Sequence, residues 1–424
     1  MFISNFKAKS FAIYGLGVTG KSVLNFLQKK KVKKIFTHDD KSKVLRSRGK
    51  KNFAKHLNIV DFIILSPGIS INKSKFKKVL KKNKDKIITD LDLFFLSNKV
   101  KKSIIVTGSN GKSTTCSIIL HALKQNKINS QLVGNIGKPI LDYKASKEKI
   151  FVIEASSFQL QYSKFIKPYC AIIINISKDH MDWHGTMNNY INAKLNIFKN
   201  QNRYDKSIIN DFKIKRLFQK KRFKGKLIFL NKKLIYENEI KNKYLKTKIN
   251  QQNVDYAFKV SRLFNISKNN FLNSLKNFKG LEHRHEVFLE NKKFKFINDS
   301  KATSFEASKY ALLSNKNIIW ILGGLPKEGD SIKLNEVKKN ILKAYIVTKY
   351  SNFFKIHLRK KIKYEVIKNF KEALKKIYND KNKIKEKVTV LFSPASASYD
   401  KYKNFEERGN VFKKIVKYNA RNFY

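Results

Sequence analysis

The sequence predicts an α/β protein made of three doubly wound units in series, spanning residues 1–90, 91–280 and 281–424. Three observations predict it. Short apolar runs rich in β-branched residues recur from 11–14 to 388–392, each run is followed by a polar or glycine-rich turn, and each turn is followed by apolar residues at helical spacing. Polar residues thus gather where strands end, the side of an open α/β sheet on which ligands bind. No internal repeat interrupts the pattern.

The first unit opens on the run 11–14, followed by Gly15-Leu16-Gly17-Val18-Thr19-Gly20 and a helical pattern through Val23, Leu24, Phe26 and Leu27. The glycines fit G-x-G-x-x-G, which suits close backbone approach to a nucleotide. The next run, 34–37, ends at His38-Asp39-Asp40, an acidic step where dinucleotide folds bind a ribose. Taken literally this is a nicotinamide-dinucleotide site, although the motif alone is weak. A third run, 61–65, leads into Ser66-Pro67-Gly68-Ile69, a ligand-receiving turn of the same kind.

The second unit is organised around Thr107-Gly108-Ser109-Asn110-Gly111-Lys112-Ser113-Thr114-Thr115, set between the run 103–106 and a helical pattern through Ile118, Ile119, Ala122 and Leu123. This is a phosphate cradle in a shorter Thr-Gly-x-x-Gly-Lys-Ser form, with Val106 where the common P-loop pattern has a glycine. At a helix N-terminus unpaired N–H groups attract anions, Lys112 can reach terminal phosphates, and the Ser113 or Thr114 hydroxyl can hold Mg²⁺. The plain alternative is a glycine turn with a surface lysine. Gly134-Asn135-Ile136-Gly137 supplies a flexible turn with an amide donor. The run 150–153 ends in Glu154, a carboxylate at a strand tip where a metal could meet phosphates. The run 171–176 leads to Asp179-His180-Met181-Asp182-Trp183-His184. His180 and His184 have zinc-ligand spacing but lack the Glu of H-E-x-x-H, so a Mg²⁺ role for His180 is preferred. A helix over 188–199 presents Lys194, otherwise an ordinary surface lysine. The stretch 201–248 is lysine-rich and carries little information, and Asn250-Gln251-Gln252-Asn253 starts an amphipathic helix.

In the third unit, 280–284 reads as a hinge and a strand from Lys295 delivers Asn298-Asp299-Ser300-Lys301-Ala302-Thr303. A strand over 317–322 ends in Gly323-Gly324-Leu325-Pro326-Lys327. The last, 388–392, runs into Ser393-Pro394-Ala395-Ser396-Ala397-Ser398-Tyr399-Asp400 and then Asn404-Phe405-Glu406-Glu407-Arg408-Gly409-Asn410.

Composition narrows the class. A chain of 424 residues with 42% hydrophobic and 12% aromatic content is long and apolar enough for two to four domains with full cores, which excludes a disordered chain. Lys plus Arg number 92 against 31 Asp plus Glu, a formal net charge of +61. That excess is spread through nearly every polar slot, together with many Asn, Ile and Phe, so it fits an A/T-rich codon bias at least as well as a polyanion partner. A nucleic-acid-binding P-loop ATPase is the alternative that the charge motivates. Two cysteines, Cys116 and Cys170, allow neither a disulfide framework nor a zinc ribbon. The N-terminal residues lack the apolar core of a signal peptide, and no run approaches the ~18 apolar residues that span a bilayer. The expectation is a cytoplasmic monomer without membrane insertion and without a specific nucleic-acid partner.

Taken together, Thr-Gly-Ser-Asn-Gly-Lys-Ser-Thr, Glu-Ala-Ser-Ser-Phe-Gln-Leu, Asp-His-Met-Asp, Asp-Ser-Lys-Ala-Thr and the run 393–410 resemble the Mur ligase family, in the family's order and over the whole chain. The resemblance implies an N-terminal Rossmann-like domain for a UDP-sugar, a central P-loop ATPase domain with a parallel sheet, and a C-terminal Rossmann-like domain that brings an amino acid and closes over the site. It implies ATP-dependent ligation of D-glutamate to UDP-N-acetylmuramoyl-L-alanine through an acyl phosphate, in peptidoglycan precursor synthesis. Another Mur-type ligase or a folylpolyglutamate synthase would share the central motifs, whereas the Ser-Pro-Ala-x-Ala-Ser run favours D-glutamate. By resemblance Gly108, Ser109, Asn110, Gly111, Lys112, Ser113 and Thr114 would hold ATP phosphates, with Asn253, Arg284 and Asp299 as further nucleotide contacts. Ser113, Glu154 and His180 would hold Mg²⁺, and Lys194 would be carbamylated and help bind a second Mg²⁺. Val18, Thr19, Ser66, Gly68 and Asn135 would face the UDP-sugar, and Lys301, Thr303, Lys327, Ser398 and Phe405 the D-glutamate. Two stretches depart from the family pattern. Leu245-Lys246-Thr247-Lys248-Ile249-Asn250 stands for Leu-x-Gly-x-His-Asn, and Thr348 replaces a glycine after the strand over 344–347. Both departures are expected to bear on nucleotide affinity and to leave the D-glutamate residues untouched.

Overall fold

β-branched and aromatic residues build three sheets, distributed over two compact units, residues 1–278 and 279–424. The computed structural model describes residues 3, 5–41, 50–97, 102–143, 148–242, 244–326, 330–380 and 386–419. In the first unit β1 (Ser10–Tyr14), β2 (Lys34–His38), β3 (Phe62–Leu65) and β4 (Ile87–Ile88) form a parallel sheet in the order β2-β1-β3-β4. The second sheet contains β5 (Ser103–Thr107), β6 (Ser130–Gly134), β7 (Ile150–Glu154), β8 (Cys170–Ile173), β9 (Lys206–Ile209) and β10 (Lys226–Phe229). It is also parallel, in the order β10-β9-β8-β5-β7-β6, so the strand before the phosphate loop lies between the two that carry the acidic and histidine-bearing turns.

Every residue of β5, β7 and β8 is buried, as expected where helices cover both faces of a parallel sheet. The period of two divides them between two cores. Ile105, Phe151 and Ile153 face a cluster that also contains Phe11, Ile13, Leu93 and Phe94, so the first sheet, the Asp90–Ser97 helix and the central sheet share one continuous core. Ile104, Val106 and Val152 face the opposite cluster, where the helices Lys112–Gln125 and Lys248–Leu263 contribute Ile118, Ile119, Val254 and Val260. The fully buried cysteines, Cys116 and Cys170, belong to this second core as small apolar groups.

The second unit holds β11 (Glu286–Glu290), β12 (Phe294–Asn298), β13 (Ile318–Leu322), β14 (Ile341–Ile346), β15 (Tyr364–Val366) and β16 (Val388–Phe392) in the order β11-β12-β16-β13-β14-β15. All neighbours run parallel except β11, which pairs antiparallel with β12 at the edge.

Two features differ from the sequence expectation. The stretch 201–248 contains β9, β10 and the helix Phe212–Lys220 between them. Each strand is four residues long and β10 is only half buried, so lysine dilutes both periods below recognition. The region beyond the expected hinge becomes the edge strand β11, whose exposed Glu290 and irregular register mask its alternation. Among the described residues, no helix is long and apolar enough to cross a membrane.

Candidate functional site

The turn after β5 is held in shape before it is asked to bind anything. Gly111 takes φ +86° as N-cap of the Lys112–Gln125 helix, and a Cβ there would overlap the Asn253 side chain. Asn253 accepts from Thr115 Oγ1 at 3.1 Å and donates to Asn250 Oδ1 at 3.1 Å, which ties the Lys248–Leu263 helix to the back of the loop. Asn110 N donates to Asn175 Oδ1 at 2.9 Å, and Asn175 returns a bond to Asn110 O at 3.1 Å. Ser109 Oγ reaches Ser177 O at 3.0 Å and Tyr190 OH at 2.9 Å. Asn175 and Tyr190 are therefore structural partners of the loop that the sequence reading missed. Nothing in their spacing marks them, because Tyr190 sits on the buried face of a helix like any core aromatic.

Lys112 and Lys194 converge on this loop. Lys112 Nζ donates to Gly108 O at 2.8 Å and Ser109 O at 2.9 Å, and Lys194 Nζ donates to the same Gly108 O at 2.9 Å. Lys194 is no surface lysine. It is 1% exposed on the Met187–Leu195 helix, and its ammonium lies over the Tyr190 ring. Burial first, and the neighbouring Lys112 charge second, pull its pKa well below the ordinary lysine value, while Asp179 and Glu154 oppose the shift.

Glu154 sits at the tip of β7, 1% exposed, where it accepts from Ser113 Oγ at 2.5 Å and from Asn135 Nδ2 at 2.8 Å. The structure thus brings Ser113, Glu154 and Asn135 together, and of the two candidate hydroxyls it is Ser113 that meets the carboxylate. His180 is the N-cap of the Met181–His184 turn, with φ +57°, and its Nε2 pairs with Asp179 Oδ2 at 3.2 Å. His184 does not share a ligand set with it. Its ring is buried against Phe158, Trp183 and Tyr190, Nε2 pairs with Ser157 Oγ at 3.0 Å, and burial holds its pKa down to about 4.

Hydroxyl and carboxylate oxygens beside a phosphate-type loop suit a hard divalent cation. Among the described residues no group of three His, Cys, Asp or Glu side chains forms a cage, so such an ion would draw further oxygens from phosphate and water, as Mg²⁺ commonly does.

The turns of the first sheet are also preorganised. Gly15 has φ +95°, and Gly20 packs so tightly on the Gly15 carbonyl that a Cβ would overlap it. Ser66 Oγ donates to Gly15 O at 2.7 Å, and Leu16 N donates to Asp39 Oδ2 at 2.6 Å. Burial pushes the Asp39 carboxyl up, yet the Leu16 and Lys41 amides hold it below the usual range, so it is a carboxylate at neutral pH. Around this turn Val18 and Gly68 are exposed, Thr19 and Ser66 half-buried. Asn135, also exposed, lies on the β6 turn instead, against Glu154.

In the second unit Lys301 Nζ lies 3.6 Å from the centroid of the Phe405 ring, and Ser300 Oγ donates to Phe405 O at 2.8 Å. Thr303 is half-buried and Ser398 buried on the turns after β12 and β16. Asp299 accepts from His285 N at 3.0 Å and Ser393 Oγ at 2.7 Å. Burial pushes its carboxyl up to about 7, against the pull of the Arg284 charge. Lys327 lies outside the described residues. The two departures from the family pattern find structural uses. Thr247 is the N-cap of the Lys248–Leu263 helix and accepts from Asn250 N. Thr348 Oγ1 contacts Gly324 O and Asp400 Oδ2, on the turns after β13 and β16.

Comparison with known proteins follows the same lines. A family model described as the Mur ligase middle domain matches residues 106–276. The chain is 32% identical to UDP-N-acetylmuramoylalanine--D-glutamate ligase of Wolbachia sp. subsp. Brugia malayi (strain TRS), with 97% of both chains covered. It is 33% identical to the enzyme of the same name from Rickettsia bellii (strain RML369-C), with 98% of both covered. The fold resembles the crystal structure of MurF ligase from Thermotoga maritima in complex with ADP, with a TM-score of 0.57 at 16% identity over 99% of this chain and 98% of that one.

Proposed function

The chain belongs to the Mur ligase family, and from that membership we propose that it joins D-glutamate to UDP-N-acetylmuramoyl-L-alanine with cleavage of ATP to ADP and phosphate. One observation carries the chemical side of the proposal. Two ammonium groups, Lys112 and Lys194, meet on the Gly108 carbonyl at the positive end of a helix, in the same loop cluster as the Ser113–Glu154 pair.

In this reading Gly108, Ser109 and Asn110 shape the loop through Asn175, the backbone N–H groups of Gly111 to Thr114 cradle the ATP phosphates, and Lys112 neutralises charge on the transferring group. Asn253, Arg284 and Asp299 contact the nucleotide. Val18, Thr19, Ser66, Gly68 and Asn135 hold the UDP-sugar, so that residues 1–90 serve chiefly the sugar nucleotide, 91–280 ATP and 281–424 the amino acid. A carboxylate oxygen of the alanyl group attacks the γ-phosphorus and ADP leaves, giving an acyl phosphate. The D-glutamate amine then attacks the acyl carbon, the tetrahedral intermediate expels phosphate, and the nitrogen gives up a proton to leave the amide. Lys301 and Lys327 neutralise the two substrate carboxylates, and Thr303, Ser398 and Phe405 line the pocket. The reading places the reaction in the cytoplasm.

Ser113, Glu154 and His180 would hold Mg²⁺, which when bound supplies positive charge to the transferring phosphoryl group. Lys194 suits a second metal once carbamylated. Burial and the depressed pKa raise the share of neutral amine, the form that adds to CO₂ with loss of a proton and becomes an anionic oxygen ligand. The test is isotopic. With ¹⁸O in the alanyl carboxylate, the acyl-phosphate route delivers one ¹⁸O to each phosphate released, and unlabelled phosphate would contradict it.

A further inference from the structure

The turns after β13 and β16 need an external hold, because neither is a helix or a strand and the second contains Ser398. Leu325 N donates to Ala397 O at 2.9 Å and Ala397 N donates to Leu325 O at 3.0 Å, an isolated antiparallel bridge between the two turns. Arg408, 1% exposed, reaches the β16 turn from the side. Its Nη2 donates to Ser396 O at 3.1 Å and Ser300 O at 2.8 Å, and its Nε donates to Ser300 Oγ at 3.1 Å. The third hold is Thr348, 7% exposed, two residues beyond β14. Its Oγ1 lies 3.1 Å from Gly324 O on the first turn and 3.2 Å from Asp400 Oδ2 at the end of the second, and it accepts from Tyr350 N at 3.1 Å. One hydroxyl proton is thus shared between acceptors on two different turns. Asp400 Oδ1 is buried with no hydrogen-bond partner among the described residues, so this carboxylate is held inward by Thr348 and by attraction to the Arg408 charge.

We propose that Thr348 is a positioning residue for the amino-acid pocket: its hydroxyl latches the Gly324 turn to the Ser398–Asp400 turn and fixes where Ser398 meets the substrate carboxylate. The proposal deepens the ligase assignment and rests on it for the identity of the substrate. Without the hydroxyl, Asp400 loses the hydrogen bond to Oδ2 while Oδ1 remains buried and unbonded among the described residues, so the carboxylate turns outward to water and the segment bearing Ser398 follows. The substrate carboxylate then meets a pocket that must be ordered on binding, which weakens binding of the amino acid and leaves the nucleotide and sugar sites as they were.

The experiment compares wild type, Thr348→Val and Thr348→Ser. KM is measured for D-glutamate, UDP-N-acetylmuramoyl-L-alanine and ATP, and amide hydrogen exchange is followed at Leu325 and Ala397 in the same proteins. The latch predicts that Thr348→Val raises KM for D-glutamate roughly tenfold, keeps the other two within about twofold, and accelerates exchange at both amides, with Thr348→Ser restoring all three readouts. Unchanged exchange in Thr348→Val overturns the latch. So does faster exchange accompanied by an unchanged KM for D-glutamate, or by a rise in all three KM values together. If wild type shows no D-glutamate dependence the ligase assignment fails, and the exchange data alone still decide whether the latch exists.

Discussion

Glu154 illustrates how a strand tip turns an ordinary acid into a specialised one. Its carboxylate is buried yet accepts from Ser113 and Asn135, so neutral donors anchor it in place. Replacement by Gln keeps the shape and removes the charge. Glu154→Gln is expected to lower kcat by roughly 100-fold or more and to move the Mg²⁺ requirement to higher concentration, with little loss of thermal stability, as read from a Mg²⁺ titration of phosphate release. His184 works in the opposite direction, through neutrality. Burial first, then the His180 and Lys194 charges, depress its pKa to about 4 from an unfolded value of 6.5. Between those values the unfolded chain binds more protons than the folded one, so the stabilisation is complete above about 6.5 and is lost as pH falls through about 4. His184→Gln should flatten the decline of stability between pH 6.5 and 4 in denaturant melts, and an unchanged slope would remove His184 from that account. Both residues stood out in the sequence as acid or histidine after an apolar run. Their division of labour did not, because it depends on Ser157, Asn135 and Tyr190, which no local pattern connects to them.

The helix Lys112–Gln125 owes its start to Gly111, whose φ of +86° and contact with Asn253 leave no room for a side chain. Gly111→Ala is expected to destabilise the protein by about 1–3 kcal/mol and to weaken ADP binding, both measurable by calorimetry. Gly17 is the counterexample. It has φ −65° and nothing near its absent Cβ, so Gly17→Ala should stay within about 0.5 kcal/mol of wild type. A sequence pattern treats the two glycines alike, and only the backbone separates them. The strands were legible wherever both faces are buried, since β5, β7, β8, β13 and β16 read as runs of mostly apolar and β-branched residues. β9, β10 and β11 escaped because short or edge strands mix lysine and glutamate into the alternation that would reveal them. Thr348 escaped for another reason, since its partners come from turns 24 and 52 residues away along the chain.

Across the chain, 92 Lys and Arg against 31 Asp and Glu give a potential that attracts any polyanion. We expect purified protein to retain polynucleotide at low salt, to release it steeply as salt rises, and to show no stimulation of ATP turnover by it, all readable from filter binding alongside a turnover assay. Stimulated turnover would move the assignment toward a nucleic-acid ATPase. The order of the three sheets, and the gathering of polar residues at strand ends, followed from the recurring strand, turn and helix pattern in the sequence. The continuous core joining the first sheet to the central one did not, because its members, from Phe11 to Phe151, are scattered over far more chain than any local period covers. The most direct test of the ligase assignment is phosphate release from ATP and Mg²⁺ in the presence of UDP-N-acetylmuramoyl-L-alanine, with D-glutamate, L-glutamate or no amino acid. The account predicts release only when the nucleotide sugar and D-glutamate are both present; release that ignores either substrate, or that accepts L-glutamate equally, would contradict it.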